Sequence, residues 1–150
     1  MMLAAVAFLL AADDPGGWSK AKWGMTDAQL SEVFGAETLY IDGHVAVHLT
    51  VGDILCHAMM HFDKDGHLNL IGIGPVKIDD MTDALYLNLQ EMLVQKYGRP
   101  WKSDEENGIT SLQWTFPTTL ITLQRMKLPM IARRNVSLTY ERVTPASNPL

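Results

Sequence analysis

The sequence predicts an α+β fold: helix–three strands–helix–three strands, an antiparallel sheet with helices packed on one face. Three observations predict it. Two segments, near residues 26–35 and 80–97, repeat apolar residues at helical spacing. Five further stretches alternate apolar and polar residues with a period of two, and a sixth follows a break at Pro117. The turns between them are short and rich in Gly, which selects hairpins over crossovers.

The first helix opens at Thr26, an N-cap residue with Gln29 three positions on to complete a capping box. Met25 and Leu30 suit a hydrophobic staple, Leu30, Val33 and Phe34 form the buried stripe, and Gly35 ends it. A hairpin follows. Val45, Val47, Leu49 and Val51 alternate with His44, Ala46, His48 and Thr50, and Ile54, Cys56, Ala58, Met60 and Phe62 alternate with Leu55, His57, Met59 and His61. Gly52-Asp53 joins the two runs with Gly first, as a type II′ turn requires. A third strand, about His67 to Ile73, follows the turn Asp63-Lys64-Asp65-Gly66, and Pro75 closes that region. The second helix is expected to start at Asp79 or Asp80 and to bury Leu85, Tyr86, Leu89, Met92, Leu93 and Tyr97 before Gly98 and Pro100. Leu87 and Val94 lie off that stripe. Residues 102–108 read as a polar, acidic loop. Leu112, Trp114 and Phe116 then alternate, Pro117 breaks the run, Ile121 and Leu123 continue it, and Val136, Leu138 and Tyr140 share a face of the last strand. The order suggests two halves related in topology but not in sequence.

The chain has 150 residues and a net charge of −5, which fits one domain and excludes a basic nucleic-acid binder. Its single Cys excludes an intramolecular disulfide and any multi-Cys zinc site. That thiol, Cys56, alternates onto the apolar face and reads as a small core residue. Residues 1–12, MMLAAVAFLLAA, are uninterruptedly apolar but too short to span a bilayer, which takes roughly 20 residues. They read as a signal peptide, although no Lys or Arg precedes the run; the competing reading is a hydrophobic segment packed on the domain. The organisation expected is a signal peptide at 1–12, a mature N-terminal segment at 13–25 starting with an exposed Asp13-Asp14-Pro15, a single α+β domain at 26–143 and a flexible tail at 144–150. A periplasmic or secreted location follows, with no transmembrane helix in the mature chain.

Lys22-Trp23-Gly24-Met25-Thr26 with Leu30 to Gly35 resembles the WGMS…EV…G opening of small exported bacterial proteins of unknown function. Leu93…Lys96-Tyr97-Gly98-Arg99-Pro100 is similar to their L…KYG.P helix end, and Trp114 and Leu138-Thr139-Tyr140 fit the same template. That template looks like the architecture of β-lactamase-inhibitor-protein-like domains and of the small lipoprotein of the outer-membrane β-barrel assembly machinery. The resemblance implies helices on one sheet face, the other face free for partners, and a binding or envelope-associated role. No Cys follows the apolar run here, a departure from the lipoprotein.

Four of the five His fall between His44 and His61. Counting outward from Gly52-Asp53 pairs His48 with His57 and His44 with His61, all on the face opposite Cys56. Directly opposed side chains have Cβ atoms about 4.5–5.5 Å apart, within reach of one ion. Positions four apart along a strand are about 13 Å apart, so the pairs make two separate two-His half-sites, with Met59 between them as a soft ligand for copper. The competing reading is an ordinary solvated sheet face stabilised by cross-strand ring contacts. No phosphate loop, G-x-S-x-G elbow or H-E-x-x-H occurs. Asp63-Lys64-Asp65-Gly66 departs from a calcium loop because its Gly comes too early. Trp18, Trp23, Trp101 and Trp114 read as core or edge packing, and Arg133-Arg134 as a solvated turn. The expectation is a non-catalytic exported domain without a cofactor. It would bind an unknown protein or envelope component through the face carrying His44, His48, His57, Met59 and His61, with no nucleic acid as partner. The alternative is a periplasmic metal-binding protein using the same His pairs.

Overall fold

The computed structural model describes residues 12–127 and 134–144. Residues 1–11 of the expected signal peptide, the end of the tail and Arg133 lie outside them. A two-residue hairpin, β1 (Gly17–Trp18) and β2 (Ala21–Lys22), precedes α1 (Asp27–Phe34). Four strands follow: β3 (Leu39–Ile41), β4 (His44–Val51), β5 (Ile54–Phe62) and β6 (Leu68–Pro75). Then come α2 (Asp83–Tyr97) and four more: β7 (Lys102–Glu106), β8 (Ile109–Thr115), β9 (Thr119–Lys127) and β10 (Arg134–Arg142). Each half is a helix followed by a four-stranded meander, one strand longer than expected. The meanders join through their last strands, giving one antiparallel sheet in the order β3-β4-β5-β6-β10-β9-β8-β7. The order reads the same from either edge when the halves are exchanged.

Local chemistry explains the elements. At α1 the Thr26 side chain accepts from the Gln29 N–H while the Gln29 side chain accepts from the Thr26 N–H, a complete capping box. Gly35 ends the helix at φ +55°. The second helix is capped by Thr82, whose hydroxyl accepts from the Leu85 N–H, and not by Asp79 or Asp80. Those two acids sit instead in a short 3-10 turn, Ile78–Asp80, where the chain leaves β6. In the β4–β5 turn Gly52 takes φ +64°, as the first position of a type II′ turn demands. A Cβ there would also stand 2.6 Å from Asn88 Nδ2, so α2 is seated against the turn.

Of the four unforeseen strands, β1 and β2 make the small N-terminal hairpin, and β3 and β7 are the edges of the main sheet. Asp42-Gly43, with φ +50° and +79°, folds β3 back on β4, and Asn107-Gly108, with φ +51° and +78°, folds β7 on β8. Both dipeptides suit a type I′ hairpin turn. The stretch 102–106 is therefore a strand and not a loop. Its Lys, Asp and Glu side chains are all exposed, as charges that guard an open edge would be.

Parity along the strands builds the core. Val47, Ala58, Ile73, Leu138, Leu123 and Leu112 pair in one row across six strands. Met60, Ile71, Tyr140, Ile121 and Trp114 make the next row. Leu30 and Phe34 of α1, and Leu85, Tyr86, Leu89 and Leu93 of α2, close over them in the same core. Cys56 lies in that core, fully buried, and burial pushes its thiol pKa up. Trp18 and Trp23 pack on its margin and Trp114 is fully buried, whereas Trp101 is 78% exposed and leaves the packing role expected of it. No helix among the described residues is long and apolar enough to cross a membrane.

Candidate functional site

The face of the sheet away from the helices carries no covering element among the described residues. Its rows follow from the same register. Ala46, Met59, Gly72, Thr139, Thr122 and Gln113 form one row, and His48, His57 and Gly74 lie beside it. A third row runs His61, Leu70, Glu141, Leu120, Thr115. Gly72 and Gly74 stand in β6, near the middle of the sheet. A Cβ on either would meet nothing within 4 Å, so neither is required for packing. They leave a strip of bare backbone bordered by His57 and Met59 on one side and Thr139 on the other. Glycine inside a strand weakens it and often marks a place where another chain approaches closely.

The structure places the four imidazoles as the strand count predicts. His48 is paired with His57 in the β4–β5 register. His44 and His61 meet farther along the same strands, beyond Ala46 and Met59, their ring centroids 4.8 Å apart and tilted by 55°. Burial, with the facing ring second, holds the pKa of His57 and of His61 below the ordinary histidine value. Folding therefore favours the neutral form of both rings. His57 Nδ1 is buried and has no hydrogen-bond partner among the described residues. A group left in that state costs about 1–3 kcal/mol. Met59 is half-buried between the pairs, beside Ala46.

Among the described residues no three His, Cys, Asp or Glu side chains converge on one point. Each imidazole pair thus offers two ligands where zinc usually takes four. Asp63, in the turn after β5, uses its carboxylate to accept the N–H groups of Asp65 and His67 and so builds the turn. Its partners are internal, as the misplaced Gly suggests.

The N-terminal segment differs from expectation. Asp13 is exposed, but Asp14 is a fixed structural group. Its carboxylate accepts from the Thr118 N–H at 2.6 Å, from the Thr118 and Thr119 hydroxyls, and from the Gly16 N–H. Those bonds lower its pKa despite the opposing effect of burial. Trp23 adds an indole N–H to the Thr119 hydroxyl at 2.9 Å, and the fold accordingly begins before residue 26. Beside this clamp lies an open cleft of about 490 Å³ holding Asp63, Asn69 and Arg142. The sequence gives no local signal for Asp14, because its partners lie 104 and 105 residues away.

No protein-family model matches the chain. No curated protein matches it. Among solved structures it is similar to a DUF4309 family protein (YjgB) from Bacillus subtilis, with 12% identity over 79% of this chain and 78% of that one, at a TM-score of 0.44.

Proposed function

We propose that this protein is a non-catalytic exported module that binds a protein or envelope component on the open face of its sheet. The observation that carries the reading is the asymmetry of the two faces. Helices and the N-terminal hairpin close one, and the other presents imidazoles beside a strip of bare backbone, open to a neighbouring chain. The apolar run at 1–12 and the resemblance of residues 22–35 and 93–100 to exported bacterial proteins support the compartment. A photo-crosslinking residue at Thr139, on the open face, should give a discrete adduct in living cells, and the same residue at Glu91, on the exposed side of α2, should not. Equal labelling from both positions, or none from Thr139, overturns the reading. Export is tested by the N-terminal mass of the product, expected near Asp13; a mature protein retaining Met1 refutes it.

A further inference from the structure

We propose that His44 and His61 form a two-imidazole chelating site for one divalent ion of the zinc, copper and nickel class. The site needs no protein partner, so it stands apart from the reading above. Geometry carries it first. A zinc–nitrogen bond of about 2.0–2.1 Å, plus roughly 1.1 Å from nitrogen to ring centre, puts each ring centre about 3.2 Å from a bound ion. Two such rings at ligand angles from about 90° to 109° have centres about 4.5–5.2 Å apart, spanning the square-planar and tetrahedral preferences of these ions. The observed separation of 4.8 Å falls inside that range before any ion is present.

The surroundings agree. Neither ring forms a hydrogen bond or an ion pair among the described residues, so the nitrogens are not engaged elsewhere. Ile41 is the register partner of His44 on one side, and Leu70 is that of His61 on the other. These flanking positions are apolar and supply no competing carboxylate. Both rings are half-buried, leaving one side open to solvent for the remaining ligands, which are water. The His48–His57 pair is the poorer candidate, because one His57 nitrogen is sealed inside the protein and the His48 ring is exposed.

Calorimetric titration of the tag-free chain with Zn²⁺, Cu²⁺ and Ni²⁺ at pH 7.5 should give one ion per chain at micromolar affinity. His44→Gln and His61→Gln, on different strands, should each weaken binding at least about tenfold, whereas His48→Gln should change it less than about twofold. The Cu²⁺ complex should show nitrogen splitting from two imidazoles in electron paramagnetic resonance. Lowering the pH to 5 should weaken binding more than about tenfold, since protons compete for the same nitrogens. Absence of saturable binding, retention of affinity in folded His61→Gln, or equal loss in His48→Gln would overturn the assignment.

Discussion

The two faces of the sheet are made by the same strands at alternate positions, yet they are opposite in character. The covered face holds Trp114, Tyr140, Met60, Ile71 and Ile121, all but sealed from solvent. The open face holds imidazoles, hydroxyls and two glycines, most of them half-exposed. A residue one place along the chain therefore changes from stabilising the fold to displaying a surface. Deep burial follows one parity of the central strands, Ala46 of β4 apart, and exposure follows the other.

Substitutions can break or sharpen that contrast. The largest effect belongs to Trp114→Ala on the covered face, which removes a fully buried indole and its N–H bond to the Gly98 carbonyl. It should cost about 3–5 kcal/mol in denaturant unfolding. A cost below about 1 kcal/mol would mean that this face does not carry the fold.

Next is Asp14→Ala, which leaves the Thr118 N–H and two hydroxyls without their acceptor. A loss of about 1–2 kcal/mol is expected, the lower part of the range for charged acceptors because the site is partly solvated. The carboxylate pKa is lowered by folding, so its contribution is present above pH 4 and disappears as acid protonates it. Thermal unfolding at pH 3 should narrow the gap between Asp14→Ala and the parent; an undiminished gap would show that the charge is not involved.

On the open face the sign should reverse. Gly72→Ala introduces a methyl into free space in a strand and should stabilise the fold by about 0.5–1 kcal/mol. If the proposed partner lies on the bare backbone, the same variant should lose crosslinking from Thr139. Destabilisation by Gly72→Ala would show that the glycine serves the fold after all.

The smallest effect is a pH slope. Folding depresses the pKa of His57 and His61, so the unfolded chain binds more protons below about pH 6.5 and stability must fall as the pH drops from 7 towards 5. His57→Leu, which also removes the unpartnered Nδ1, should flatten that slope in melts at several pH values. An unchanged slope would assign the acid sensitivity elsewhere.

Much of this contrast was legible in the chain. Alternation through 44–62 with Gly52-Asp53 at its centre placed Cys56 in the core and four imidazoles outside it, because a strand's period of two leaves no other arrangement once the turn is set. The Thr26 capping box was legible for the same reason, its parts lying three residues apart. The edge strands were written in Asp42-Gly43 and Asn107-Gly108, but acidic or short segments lack the apolar alternation by which strands are usually found. Thr82 in place of Asp79 or Asp80 as cap depended on where the chain could turn after leaving β6.

Sequence by itself determined the class of fold, the parity of each strand, and so the composition of the two faces. These are consequences of local dihedral preference and of apolar burial at fixed spacing. Tertiary structure alone decided that β6 and β10 lie side by side, and that Asp14 caps a turn 104 residues away. Such contacts depend on how whole elements pack and on the closing of long loops, and no spacing within a segment encodes them.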